Sequence, residues 1–242
     1  MSIGTLYGVG VGPGDPELIT LKGQQILDRA RYVFAPKARN KSDSIALDIA
    51  RKYINRFATV EEILFPMVTD RDALDGHWQA AAETVLAVLR AGKDAVFLTL
   101  GDALLYSTYI YLIRAIKRAL PALKVVTVPG VTAFSAAAAL TGMPVGEGKH
   151  PVVIIPTADD LTAIDRAFEL GGTVVLMKVG RRLSRIIALL EERHLIDRSV
   201  FVARAGLAGE CIETVLTHLN TTDSHTGYLS TIIIDARKEA DR

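Results

Sequence analysis

The sequence predicts an α/β protein with largely parallel sheets, arranged as two α/β domains. Short apolar runs rich in β-branched residues recur along the chain, segments of helical period lie between them, and this order breaks at "TGMPVGEGKHP", residues 141–151. The runs are nearly continuous rather than alternating, as in strands covered on both faces. Their alternation with helical segments reads as parallel pairing, and the break rich in glycine, proline and charge reads as a domain boundary.

In chain order, "TLYGVGV" (5–11) is the first strand. A glycine turn follows, and Asp15-Pro16 offers an N-cap and a proline at the first helical position. A helix is predicted from there, with Leu18, Leu21 and Ile26 on its buried face. "YVFA" (32–35) and the weaker "VEEILF" (60–65) are the next strands, with the polar "KARNKSD" between them. Trp78, Ala82, Val85, Leu86 and Leu89 share one helical face. "AVFLTL" (95–100) and "KVVTV" (124–128) follow, and then an alanine-rich helix carrying Ala133 and Ala136 to Ala139. After the break come "PVVIIP", "TVVLM", "SVFVA" and "TIIID", with Leu183, Ile186, Ile187 and Leu190 on one face of an intervening helix. The division predicted is residues 1–143, a linker at 144–151, and residues 152–242.

Composition narrows the function. The chain has 242 residues, is 50% hydrophobic and 23% charged, and carries a formal net charge of +1. That balance suits a globular protein and argues against nucleic-acid or membrane-surface binding. A single cysteine, Cys211, excludes an intrachain disulfide framework, and no paired Cys/His spacing suggests a protein-bound metal. A reducing cytoplasm is the expected compartment. Neither a signal peptide nor a membrane helix is expected, since the densest apolar stretch, Val131 to Leu140, is far shorter than a span.

The glycines of "GVGVGPGDPELITLKG" (8–23) invite a dinucleotide reading, which fails. G-x-G-x-x-G started at Gly8 ends on Pro13, and started at Gly10 it ends on Asp15. The acidic residue expected after the second strand is replaced by Pro36, Lys37 and Arg39. Turns at the carboxyl ends of parallel strands nevertheless bind ligands, and three more strand ends qualify. Asp102, in "FLTLGDALLYST", can accept hydrogen bonds from an amine or ribose or cap a helix, and Gly101 lets a ligand approach the backbone. Thr132 and Ala133 stand at the turn after the fifth strand. Lys178 and Arg181, just past "TVVLM", can meet substrate carboxylates, whereas Arg182 and Arg185 read as a solvated face. No G-x-S-x-G or H-E-x-x-H is present, and the five histidines lie apart, so triad or metal hydrolysis is not expected.

Taken together, "YGVGVGPGDPELITLKG", "LTLGDALLYST", "VPGVTAFSAAAA" and "VVLMKVGR" resemble, in order and spacing, the tetrapyrrole methylases. These are class III methyltransferases that use S-adenosylmethionine (SAM), and the likeness spans essentially the whole chain. "GDALLYST", "FAPKARNKSDS" and "LMKVGR" are most similar to the members that methylate C20 of precorrin-2 or its cobalt-containing counterpart, cobalt-factor II, in cobalamin synthesis. The resemblance implies two α/β domains with SAM in the cleft between them, and a homodimer. The implied SAM contacts are Pro13, Leu100, Gly101, Asp102, Leu105, Thr132 and Ala133, then Met177, Ala205 or Gly206, Leu229 and Ser230. Ala103 departs from the proline many relatives carry there. Tyr106 would orient the macrocycle or assist proton loss, and Lys37, Arg39, Lys178 and Arg181 would meet its carboxylates. Because the sulfonium already activates the methyl group, alignment and water exclusion suffice and no strong base is obligatory. The rivals are a family member acting on another tetrapyrrole carbon, on ribosomal RNA or on a modified histidine, a dinucleotide-dependent reductase, and a non-catalytic partner protein.

Overall fold

A computed structural model describes residues 3–37, 43–65, 71–156, 161–220 and 226–238, without the side chains of 71–74. The chain forms two compact units, Met1–Thr132 and Ala133–Arg242. The alanine-rich helix, assigned to the first half on sequence, therefore belongs to the second unit.

In the first unit the strands are β1 (Leu6–Gly10), β2 (Tyr32–Lys37), β3 (Thr59–Leu64), β4 (Ala95–Thr99) and β5 (Val125–Val128). They form one sheet in the order β3-β2-β4-β1-β5, parallel at every pairing. Helices α1 (Leu21–Arg29), α2 (Ile45–Ala50), α3 (Arg71–Arg90) and α4 (Tyr109–Ala119) make the connections. Ala95 and Phe97 of β4 join Leu6, Leu86, Leu89, Leu112 and Ile116 in the core beneath α3 and α4. Val96 and Leu98 are equally buried and point to the opposite face. Covering on both faces is what the continuous apolar runs required.

The first helix differs from expectation. Asp15 caps only a 3-10 turn, Pro16–Leu18, its side chain accepting from the Glu17 N–H. Thr20 is the cap of α1, accepting from the Gly23 N–H at 3.1 Å. Leu21 is consequently 76% exposed, while Ile26 is buried as expected.

The second unit has α5 (Ala133–Thr141), β6 (Val152–Pro156), α6 (Thr162–Glu169), β7 (Thr173–Met177), α7 (Leu183–Glu192), β8 (Ser199–Ala203), β9 (Cys211–Glu213) and β10 (Ser230–Asp235). Sheet order is β6-β7-β10-β8-β9. Only β6–β7 is parallel; β10 pairs antiparallel with β7 and β8, and β9 pairs antiparallel with β8. The expectation of largely parallel sheets thus holds for the first unit and not for this one. Leu176, Ile186, Leu190, Phe201 and Ile232 form the core on the α6–α7 side. Ala136 and Ala137 of α5 pack on Val200, Val202 and Ile233, so the small side chains serve close helix–sheet packing. Among the described residues no helix is long and apolar enough to cross a membrane.

At the end of β10, Asp235 accepts from the Arg237 side chain at 2.9 Å and its backbone at 3.0 Å, and Arg198 stands 3.4 Å away. Burial pushes the carboxyl up, but the Arg237 hydrogen bonds and the Arg198 and Arg237 charges outweigh it and hold its pKa at about 2, below the ordinary 3.8. A carboxylate depressed in this way stabilises the fold fully above the unfolded pKa and loses that stabilisation as pH falls through the folded one. Asp235→Asn is expected to cost roughly 1–2 kcal/mol at neutral pH, allowing for solvent screening. The deficit should shrink from pH 4 toward 2, as measured by urea unfolding across that window.

Candidate functional site

The carboxyl edge of the first sheet is built from glycine backbones. Gly10, the last residue of β1, and Gly130, after β5, meet the backbone of Gly101, after β4, so closely that side chains on Gly10 and Gly130 are excluded. A Cβ on Gly130 would stand 2.2 Å from the Gly101 carbonyl oxygen, and one on Gly10 would stand 2.7 Å from it. Gly12 and Gly101 exchange backbone hydrogen bonds, 3.2 Å from the Gly12 N–H and 2.8 Å from the Gly101 N–H. Both adopt left-handed φ, +81° and +68°, which glycine tolerates without steric cost. Gly8, two residues before Gly10, shares its strand face. A Cβ there would reach 2.2 Å from the Tyr109 ring, so its role is to admit that ring. Burial raises the Tyr109 pKa, with the hydrogen bond between its hydroxyl and Thr127 Oγ1 (3.0 Å) working the other way.

Asp102 staples this edge. One carboxylate oxygen accepts from the Leu104 N–H at 2.8 Å and the other from the Gly130 N–H at 2.9 Å. It therefore joins the β4 and β5 turns and caps no helix, since α4 begins at Tyr109. Leu100, Asp102, Leu105 and Thr132 are half-buried around the same edge, and Pro13 is buried. Ala103 is fully buried and belongs to the core of the first unit. Among the described residues only the Val131 carbonyl oxygen, at 4.0 Å, comes near the missing side chain of Gly101, which is itself buried. Tyr106 is 39% exposed and holds a left-handed φ of 50°. Lys37 ends β2 on this edge, with its ammonium 4.0 Å from Glu62. Arg39 lies outside the described residues.

The second unit brings its sequence-predicted residues to one edge of its own sheet. The register sets Thr231 opposite Met177 and Ser230 opposite Ala203, so Met177, Ala205, Gly206, Leu229 and Ser230 gather at the β7, β8 and β10 ends. The Arg204 N–H donates to the Leu229 carbonyl at 3.0 Å, and the Gly180 N–H donates to the Gly227 carbonyl at 2.8 Å. Lys178, Arg204 and Leu229 all hold left-handed φ, between 52° and 56°. Desolvation of the Lys178 ammonium lowers its pKa below the ordinary lysine value, and Arg181 is exposed in the next turn. Ala133, half-buried, opens α5 of this unit.

Sequence reasoning missed Gly130, Gly227, Arg204, Thr99 and Ser107. The alternate glycines of "GVGVG" were the one available signal for the crowded strand face. Among the described residues no group of three or more His, Cys, Asp and Glu side chains is placed to hold a metal ion.

A doubly covered parallel sheet with glycine-built strand ends, followed by a mixed sheet, defines a two-unit α/β protein. Residues 5–220 match the family model of the Tetrapyrrole (Corrin/Porphyrin) Methylases, and the chain belongs to that family. It is 36% identical to the cobalt-precorrin-2 C(20)-methyltransferase of Salmonella typhimurium, over 98% of each chain. The cobalt precorrin-4 methyltransferase CbiF shares the fold at 23% identity, with a TM-score of 0.71 covering 95% of this chain and 94% of that one. So does the uroporphyrin-III C-methyltransferase of Thermus thermophilus, solved with S-adenosyl homocysteine, at 22% identity, TM-score 0.59, covering 96% and 97%.

Gly130→Ala forces a backbone shift at the triple-glycine contact and is expected to destabilise the protein by about 2 kcal/mol or more. Gly76→Ala is the control: it lies within α3 with nothing within 4 Å of its added Cβ, and should stabilise by about 0.5–1 kcal/mol. Urea unfolding of the two variants checks both signs.

Proposed function

We propose that this chain is a SAM-dependent methyltransferase that methylates C20 of precorrin-2 or its cobalt-containing counterpart in cobalamin synthesis. The observation that carries the reading is the 36% identity, over 98% of each chain, to the Salmonella enzyme named for C20 methylation of the cobalt-bearing substrate. That identity makes the cobalt-bearing form the first to test.

The strand-end geometry supports the donor assignment. Gly101 has open space where a side chain would stand, Asp102 holds the adjoining turns, and Pro13, Leu100, Leu105, Thr132 and Ala133 belong to the surrounding turns. The family resemblance adds Met177, Ala205, Gly206, Leu229 and Ser230, at the edge of the second unit's own sheet, as candidate donor contacts. SAM, when bound, supplies a methyl group activated by its sulfonium. The residues of this chain then have to orient donor and macrocycle and exclude water, which is catalysis by positioning. Tyr106 orients the tetrapyrrole, whose electron-rich meso carbon needs no strong base. Lys37, Arg39, Lys178 and Arg181 meet its carboxylates. The reaction needs no protein-bound metal, and we assign the enzyme to the cytoplasm as a homodimer.

A dinucleotide-dependent reductase is disfavoured on physical grounds. Pyrophosphate binding in that fold uses a helix N-terminus at the end of the first strand. Here β1 ends at Gly10 and α1 begins only at Leu21.

Calorimetry is expected to show micromolar-scale binding of S-adenosylhomocysteine and no binding of NAD(P)H; the reverse preference would refute the reading. Mass spectrometry and NMR of the product should show one added methyl, at C20. Asp102→Ala should weaken donor binding by roughly tenfold, about the loss of one charge-assisted hydrogen bond. Lys178→Ala should raise the KM for tetrapyrrole more than that for SAM.

A further inference from the structure

The segment from Ala103 to Thr108 is held at both ends by buried or half-buried polar contacts. Asp102 fixes its start through the Leu104 N–H. At its end, Ser107 Oγ lies 3.0 Å from Thr99 Oγ1 and accepts from the Tyr109 N–H, also at 3.0 Å. Thr99 and Ser107 are 3% and 7% exposed, and Thr99 is the last residue of β4. The same α4 terminus is held on its other side by the Tyr109 ring, which packs over Gly8 and bonds to Thr127 of β5. Between the two clamps stand Leu104, 59% exposed, and Tyr106, 39% exposed, the latter in a left-handed conformation that a bulky residue adopts only at a cost.

We propose that Thr99 and Ser107 are positioning residues for methyl transfer: their buried hydroxyl pair holds Tyr106 in its left-handed conformation against the acceptor. This rests on the reading of the protein as a tetrapyrrole methyltransferase. Asp102, by contrast, serves the donor turn, so the two ends of one short segment act on different reaction partners. Two hydroxyls buried together are each other's solvent. Removing the Thr99 hydroxyl leaves Ser107 Oγ with the Tyr109 N–H alone, and the segment relaxes away from the strained backbone. Neither hydroxyl touches a substrate or accepts the departing proton.

The test uses the full chain and three readouts: S-adenosylhomocysteine affinity by calorimetry, thermal melting, and kcat and KM with the cobalt-bearing tetrapyrrole. Thr99→Val preserves shape and removes the hydroxyl; Thr99→Ser restores the hydroxyl and removes a methyl. Expected for Thr99→Val is a fall in kcat of about tenfold or more, the scale of a small misplacement of a reacting group, with donor affinity within about twofold of the parent. Thr99→Ser should recover most of the loss, and in a Tyr106→Phe background Thr99→Val should lower kcat little further. Ser107→Ala should reproduce the Thr99→Val pattern if either Thr99 variant fails to fold. Parent-like kcat in both Thr99→Val and Ser107→Ala would overturn the proposal. So would an equal loss in Thr99→Ser, a loss that follows donor affinity, or full additivity with Tyr106→Phe. An unaltered parent that neither binds S-adenosylhomocysteine nor methylates the tetrapyrrole would instead overturn the underlying functional reading.

Discussion

The carboxyl edge of the first sheet depends on one steric constraint: three strand ends approach so closely that only backbone fits between them. The Gly101 carbonyl oxygen occupies the space that a side chain on either Gly10 or Gly130 would need. Because the backbones are in contact, the Gly12 and Gly101 amides can pair with each other's carbonyls. A single aspartate then spans the remaining gap from the β4 turn to the Gly130 N–H. Glycine loses more conformational freedom on folding than other residues. The cores on both faces of β1 and β4 offset that loss, leaving a strand edge whose shape is fixed by main chain.

Strain marks the two edges. Of the five non-glycine residues with left-handed φ among the described residues, His194 has an ordinary cause. It follows α7, and the backbone bonds from His194 N–H to the Glu191 carbonyl and from Leu195 N–H to the Leu190 carbonyl close the helix end. Tyr106, Lys178, Arg204 and Leu229 have no helix to cap, and each lies on a strand edge where the sequence motifs cluster. A left-handed bulky residue costs on the order of 1–3 kcal/mol, and such a conformation persists only where surrounding contacts over-determine it. The Thr99–Ser107 pair does this in the first unit, and the Arg204–Leu229 and Gly180–Gly227 backbone bonds do it in the second.

The first sheet was legible in the sequence because four of its five strands are apolar runs followed by a turn, while β3, with two glutamates and a largely exposed face, gave the weaker signal. The second was legible as strands but not in direction. A strand buried on both faces has the same apolar content whether its neighbour runs parallel or antiparallel, so "SVFVA" and "TIIID" carry no mark of the antiparallel pairing of β8 and β10. Strand β9 was missed because "CIE" is short and largely exposed. The helix start was misread because Asp15-Pro16 fits a 3-10 turn as well as an α-helix, and the cap that governs α1 is Thr20. Helix α5 went to the wrong unit because "AFSAAAALT" has almost no one-sided apolar pattern, and its partner sheet is decided by packing. Strand-end residues such as Asp102 and Lys178 could be located by position alone. The triple-glycine contact could not, since it joins residues 10, 101 and 130, whose proximity exists only in three dimensions.

The hydrogen bonding at the first edge also bears on chemistry. Both Asp102 oxygens accept from backbone amides, and Thr99, Ser107, Tyr109 and Thr127 are engaged in buried or half-buried pairs. A general base must reach a proton of its substrate directly or through one water, whereas these groups are engaged with backbone amides or with one another. Such an arrangement suits a reaction whose activated group arrives with the donor and whose barrier is lowered by orientation. The absence of a triad or metal-ligand motif in the sequence and the inward-turned polar groups of the structure are then two expressions of one property. In the proposed function this edge holds its partners still, and its close glycine contacts support that role.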